Sequence, residues 1–174
     1  ARLDSVIEQV ASSRTEIIRV SAYASIAMHW LPGIIQRFRE ECPDVDVDIR
    51  MADHVDIPYE LLAQGKMDAI LVSPQDEGQY EWVHLADDPM FAVLPRDFDT
   101  QGMTAFPLAA FEARDFIMPS QGFDKDIMRI FNRIGVKPHI LPTWVDDPTV
   151  ISMVSHGLGV SMMTELTVRG RTDG

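Results

Sequence analysis

Hydrophobic and polar positions in the first half of the chain alternate between two periods, which predict strands and helices in turn. A strand is expected from Ile17 to Ser21, a helix over 25–41 and an alternating strand over 45–51. A short helix ending at Gly65 and a buried strand over 69–72 come next. The order β-α-β-α-β is typical of a parallel sheet with right-handed crossovers.

The predicted helix over 25–41 carries a regular apolar face. Leu31, Ile34, Ile35 and Phe38 follow the spacing i, i+3, i+4, i+7. We expect most of this face to be buried against the sheet of the same unit. Pro32 lies within the pattern, so the helix is expected to bend or restart there.

Polar residues define the neighbouring elements. The strand over 45–51 alternates with aspartates, so we place it at a sheet edge or on a half-exposed face. Asp56 can cap the short helix that follows, and Leu61 and Leu62 are expected to face the core.

The second half of the chain repeats this topology. After a strand from Met90 to Leu94, a strand and turn are predicted over 116–120 and further strands over 139–145 and 159–163, with helices between them. Asp147-Pro148 is expected to cap and start the second of these helices. Two parallel-sheet units in one chain predict a ligand cleft, because the loops at the carboxyl ends of parallel strands line a crevice.

Composition narrows the function classes. A net charge of −12 argues against this chain holding a nucleic-acid duplex by itself, since phosphate neutralisation supplies most of that affinity. Cys42 is the single cysteine, which excludes a disulfide within the chain and fits a reducing cytoplasm. No apolar run approaches the roughly 18 residues of a membrane helix, and no signal-peptide pattern is present.

Catalytic and metal-binding patterns find little support. The five histidines show no close metal-ligand spacing, and a solvated loop is the simpler interpretation of Asp53-His54-Val55-Asp56. The turn that begins at Gly157 matches neither a nucleophile elbow nor a dinucleotide fingerprint. Glutamates beside Cys42 disfavour a thiolate. We expect no enzymatic activity, no cofactor and no metal.

Several short motifs, taken in order, carry a family resemblance over about residues 16–166. They are the Leu31-Pro32 helix start, the Phe38 to Pro43 spacing, the Gly65 to Asp68 pair before a strand and the Gly157-Leu158-Gly159 turn. Together they resemble the effector-binding domain of LysR-type transcriptional regulators. The resemblance implies a two-lobed α/β fold like the type 2 periplasmic binding proteins, with parallel-rich sheets flanked by helices and a ligand cleft between the lobes.

The resemblance also implies a domain order. Residues 1–14 would be the end of a dimerising linker helix, although a frayed terminus accounts equally well for their apolar stripe. Residues 15–95 would form the first part of lobe I and residues 96–174 lobe II. The family's N-terminal winged helix-turn-helix, which binds DNA, and its C-terminal return to lobe I are expected to lie outside this sequence.

The expected ligand site draws on both halves of the chain. A strand that feeds a helix aims free N–H groups at the cleft, where they can bind a carboxylate, and small or hydroxyl residues let the ligand approach. Each residue also has a structural alternative: Ser25 as a helix N-cap, and Gly122-Phe123 as a turn and a core side chain. The candidates are Ser21, Tyr23, Ala24, Ser25, Ser73, Ser120, Gln121, Gly122, Phe123 and Thr149.

The function that the resemblance implies is sensing of a small-molecule co-inducer in the cytoplasm, with a carboxylate as the expected class. The regulator would act as a homodimer or homotetramer, with His29, Trp30 and Arg37 as candidate interface residues, and it would touch DNA only through the N-terminal domain. No membrane partner is expected. A periplasmic-type solute-binding protein of a transporter is the alternative, and an enzyme of the same two-lobed shape is a further one.

Overall fold

The computed structural model of the chain gives a description in five segments. They are residues 16–52, 56–74, 80–119, 124–143 and 145–171. The chain divides into two compact units, unit 1 within residues 1–77 and unit 2 within residues 78–174. No helix in these segments is long and apolar enough to cross a membrane.

Unit 1 is a three-stranded parallel sheet with helices between its strands. Its elements are β1 (Glu16–Tyr23), α1 (Ala24–His29), α2 (Leu31–Glu41), β2 (Val45–Ala52), α3 (Ile57–Ala63) and β3 (Ala69–Leu71). The strand order is β2-β1-β3, and both pairings are parallel. The predicted β-α-β-α-β order and the edge position of β2 are therefore confirmed.

The first helix of unit 1 is broken in two, as Pro32 predicts. Pro32 lies in the first turn of α2, where its missing N–H leaves no intrahelical bond unmade, and Trp30 separates α2 from α1. The α3 helix ends as expected, since Gly65 adopts a left-handed φ of 65°. Asp56 occupies the N-cap position of α3, but its side chain makes no capping hydrogen bond.

The expectation that most of the α2 apolar face is buried is wrong. Leu31 is buried, Ile35 and Phe38 are half-buried, and Ile34 is 47% exposed. The physical reason is that α2 lies beside α1 and the edge strand β2, which are too few elements to cover the whole stripe. The same narrow sheet leaves β3, predicted to be buried, only half-buried at the other edge.

A bidentate ion pair joins β1 to the start of β3. Asp68 accepts hydrogen bonds from Nε and Nη2 of Arg19 at 3.0 and 2.7 Å and from the Arg19 backbone N–H at 2.8 Å. The Asp68 backbone N–H donates in return to the Arg19 carbonyl at 2.8 Å. The side-chain hydrogen bond from Arg19 is the main cause that lowers the pKa of Asp68 to about 2.

Unit 2 combines short strands of both directions. Its elements are β4 (Met90–Val93), a 3₁₀ helix (Leu108–Phe111), β5 (Asp115–Phe116), α4 (Asp124–Ile134), β6 (His139–Ile140), α5 (Asp147–Ser155), β7 (Ser161–Thr164) and α6 (Glu165–Val168). The strands β5 and β6 pair in parallel, and Val160 forms a parallel bridge to Phe116. The strand β6 ends earlier than the predicted 145, two residues before Pro142, which cannot donate to the ladder.

The strand β4 pairs antiparallel with β7, which the sequence patterns did not predict. The two residues before β4 are hydrogen-bonded to α6. The Glu165 N–H donates to the Pro89 carbonyl at 2.8 Å, and the Leu166 N–H donates to Asp88 Oδ1 at 3.0 Å. Both strands of this pair belong to unit 2.

Two apolar clusters form the core of unit 2. In one, Phe116 packs edge-to-face on Phe131 and Phe111, with ring centroids 5.1 and 5.5 Å apart. In the other, Ile117 from the end of β5 packs with Val150 of α5. The first cluster packs β5 against α4 and β7, and the second packs α5 against β7.

Candidate functional site

The turn that follows β1 is the first part of the predicted site. Helix α1 starts at Ala24, directly after β1, and its N-cap residue is Tyr23 with extended backbone. Ser25 is the second residue of α1 and is half-buried. The alternative that Ser25 is merely the helix N-cap is therefore wrong, because Tyr23 holds that position and no side chain makes a capping hydrogen bond there.

The electrostatics of this turn suit an anion. The first N–H groups of a helix have no intrahelical partner and carry the positive end of the helix dipole. No acidic residue lies in the first turn of α1, and Ala24 is exposed and has only a methyl side chain. A carboxylate could therefore approach these N–H groups closely.

Ser21 and Tyr23, the other candidates in β1, are buried at 1% and 4% exposure. The Ser21 hydroxyl has no hydrogen-bond partner within the segments that the structure describes. It lies in the central strand, with Arg50 and Ile70 as its neighbours in the ladder. Ser21 is therefore placed beneath the turn rather than on its surface.

Ser73 is brought to the same edge of the unit 1 sheet. Because β1 and β3 are parallel, with Ala22 beside Leu71, the residues after both strands emerge at one edge. The Ser73 carbonyl accepts a hydrogen bond from the Tyr59 hydroxyl at 2.7 Å, which ties the loop to α3. Ser25 and Ser73 therefore share an edge.

Of the five candidate residues in unit 2, the structure describes Thr149. Thr149 is exposed, and its backbone N–H donates to Asp146 Oδ1 at 3.0 Å. Asp146 is thus the N-cap of α5, one residue before the predicted Asp147, and the bonds from Thr149 lower the pKa of Asp146. Residues 120–123, which include the predicted Ser120, Gln121, Gly122 and Phe123, lie outside the described segments.

One polar residue that the sequence reasoning missed is Thr143, which follows β6. Its hydroxyl is buried and has no hydrogen-bond partner in the described part of the chain. A threonine in a loop carries no sequence signal of this kind, because burial and pairing are decided by the surrounding structure. His29, one of the proposed interface residues, likewise has a buried Nε2 without a partner among the described residues.

An open groove of about 510 Å³ runs between the helices α1 and α2 and the strand β2. Its floor is apolar and its rim is charged. The lining residues are Ala27, Leu31, Pro32, Ile35, Gln36, Arg39, Glu40 and Ile49. Ile34 and Met51, from the same helix and strand, are 47% and 65% exposed.

Within the described residues, no three His, Cys, Asp or Glu side chains are grouped to hold a metal ion.

Comparison with protein families gives a match to the LysR substrate binding domain over residues 11–173. Two similar relatives are the uncharacterized HTH-type transcriptional regulator YvbU of Bacillus subtilis strain 168, 23% identical over 94% of this chain, and the HTH-type transcriptional regulator TtuA of Agrobacterium vitis, 23% identical over 97%. The chain covers 57% and 58% of these two relatives. It therefore spans little more than half their length.

Solved structures match the fold. The regulatory domain of Synechocystis PCC6803 CcmR in complex with 2-PG has a TM-score of 0.77 and 18% identity, covering 91% of this chain and 76% of that one. The BenM effector binding domain with its effector benzoate has a TM-score of 0.74 and 20% identity, covering 89% and 72%. The predicted two-lobed fold class is thereby confirmed.

Proposed function

The chain belongs to the family of LysR substrate binding domains, and we propose that it is the effector-sensing domain of a LysR-type transcriptional regulator. The observation that carries this proposal is the family match over residues 11–173, which covers almost the whole chain. The relatives are named as transcriptional regulators, a class that works without catalysis. The proposal therefore includes no enzymatic activity, and the solute-binding alternative is not favoured.

The proposed effector is a small organic acid that binds at the start of α1. N–H groups that the side chain of the N-cap residue Tyr23 does not cap, the hydroxyl of Ser25 and the absence of an acidic residue in the first turn support this assignment. Ser73 lies at the same edge of the sheet and is the second proposed contact in unit 1. Ser120 to Phe123 and Thr149 remain proposed contacts on sequence grounds.

DNA binding is assigned to a separate domain of the regulator. The net charge of −12 makes the present chain a poor ligand for a duplex. The effector would change the affinity for an operator only by binding two conformations of the regulator unequally. A regulator that acts on DNA in this way works in the cytoplasm, which the single free Cys42 suits.

A second copy of the chain is the proposed occupant of the groove between α1, α2 and β2. The groove has an apolar floor, and its rim carries one charge of each sign, Arg39 and Glu40. On α4 of unit 2, Arg133 is exposed next to Ile134, which is 43% exposed. Both surfaces expose apolar side chains, which an interface between two copies of the chain would cover.

The test is a thermal-shift titration of the 174-residue chain with benzoate, malonate and a panel of other small carboxylates. A ligand that binds only the folded state raises the melting temperature in a concentration-dependent way. Ser25→Ala should lower the affinity for the acid that binds, and the exposed Ser152→Ala on α5 serves as the matched control. If Ser25→Ala binds the acid as tightly as the wild type, the α1 turn is not part of the site. If the wild type binds no acid of the panel, the proposal that the chain senses an organic acid is refuted.

A further inference from the structure

The loop that follows β6 contains a threonine whose hydroxyl is buried without a hydrogen-bond partner. Thr143 Oγ1 is inaccessible to solvent, and no described residue hydrogen-bonds to it. Such a group forfeits its hydration and gains nothing in return, so buried hydroxyls in folded proteins nearly always have a partner. The exception at Thr143 therefore requires a reason.

The loop holds Thr143 in a defined position. The Leu141 N–H donates to the Phe116 carbonyl at 2.9 Å, and the Thr143 N–H donates to the Leu141 carbonyl at 2.8 Å. Leu141 and Val145, on either side, both pack against the cluster that contains Ile117 and Val150. Valine has nearly the same shape as threonine and would fill the same space, so packing does not explain the hydroxyl.

The location of Thr143 is one at which α/β sheets bind ligands. The strands β5 and β6 are parallel, so the residues after Phe116 and after Ile140 emerge at the same carboxyl edge. Thr143 lies at this edge, three residues after the end of β6. The residue as a whole is only partly buried, and its χ1 angle has other staggered positions available to it.

We infer that Thr143 is a specificity-determining residue that hydrogen-bonds to an uncharged polar group, a hydroxyl or a carbonyl, of a ligand at the carboxyl edge of the β5-β6 sheet. The inference rests on the proposed function, in which Thr149 of the same unit is a proposed contact. An uncharged group is favoured over a carboxylate because Asp146 and Asp147 stand three and four positions further along the chain. Thr143 thus gives the chain a higher affinity for a hydroxylated acid than for the same acid without the hydroxyl group.

The experiment compares Thr143→Val, which removes only the hydroxyl, with Thr143→Ser, which keeps it. The probes are two matched sets: malonate with hydroxymalonate, and benzoate with its monohydroxylated forms. For the set that binds, the wild-type chain should prefer a hydroxylated acid by about 5- to 10-fold, the effect of one hydrogen bond. Thr143→Val should abolish that preference and Thr143→Ser should keep it. An unchanged preference in Thr143→Val overturns the inference.

The melting temperature of the chain without ligand tests separately whether the Thr143 hydroxyl has a structural partner. Thr167 is the matched control, because its hydroxyl is buried but lies 3.0 Å from the Thr164 hydroxyl. Thr167→Val should lower the melting temperature, whereas Thr143→Val should leave it unchanged or raise it. A melting temperature lowered equally by both variants would mean that the Thr143 hydroxyl has a structural partner, which overturns the inference. If the wild type binds neither set, the proposed function fails, and this arm still decides whether Thr143 is free to bind a ligand.

Discussion

Replacing Gly159 by alanine tests a close backbone approach that holds unit 2 together. Gly159 has a φ of 159°, and a Cβ built on it would lie 2.7 Å from the Asp115 carbonyl oxygen and 3.2 Å from Ile117 Cγ1. Ordinary van der Waals contact begins at 3.4 Å, so the backbone must move by 3.4 − 2.7 = 0.7 Å. The atom to be displaced belongs to the backbone and cannot swing aside as a flexible side chain does.

The displacement acts on two backbone hydrogen bonds. The Val160 N–H donates to the Asp115 carbonyl at 2.9 Å, and the Ile117 N–H donates to the Val160 carbonyl at 2.8 Å. Overpacking of this kind costs about 1–3 kcal/mol, and weakening two hydrogen bonds costs about 1 kcal/mol more. We expect Gly159→Ala to reduce the free energy of unfolding by about 2–4 kcal/mol.

The assay is urea denaturation followed by circular dichroism, with Gly135→Ala as the matched control. Gly135 also has a positive φ, 73°, but nothing lies within 4 Å of its Cβ position. The control should therefore lose only the cost of a left-handed alanine, about 1–2 kcal/mol. Equal losses in the two variants, within about 0.5 kcal/mol, would refute the role of the Asp115 approach.

Three further predictions concern the core, the ion pair and the proposed interface. Phe131→Ala, at a fully buried position between two other rings, should cost about 3–5 kcal/mol in urea denaturation, and a cost below about 1 kcal/mol would contradict this packing. The pKa of Asp68 is lowered to about 2 from an unfolded value near 3.9, so its stabilisation is present above about pH 4 and is lost as the pH falls to 2. Asp68→Asn should be less stable at pH 7 and should lose less stability between pH 4 and pH 2, and parallel wild-type and variant curves in that range would contradict the pairing. Ile34→Arg should reduce the mass measured by light scattering to that of a monomer, while Leu158→Arg, at a residue 53% exposed in unit 2, should not; a dimeric Ile34→Arg would remove the α2 groove from the interface.

The sequence by itself determined the local elements and their limits. Proline and glycine act within a few residues of the chain, so Pro32 marked the restart of the helix, and Gly65 and Gly157 marked helix ends. The alternation of aspartates in β2 predicted an edge strand, because polar residues at every second position indicate a strand that is not covered on both faces. The family followed from several such motifs in the right order, which together cover most of the chain.

Tertiary structure alone decided which faces are covered and which strands pair. Ile34 has the apolar character of a core residue, yet it is exposed because α1 and the edge strand β2, which lie beside α2, leave part of its apolar face uncovered. The antiparallel pairing of β4 with β7 joins residues about 70 positions apart, and no local pattern specifies such a pair. The same applies to hydroxyl groups: Ser25 and Thr143 look alike in the sequence. Only the fold places the first in an uncapped helix turn and buries the second without a partner.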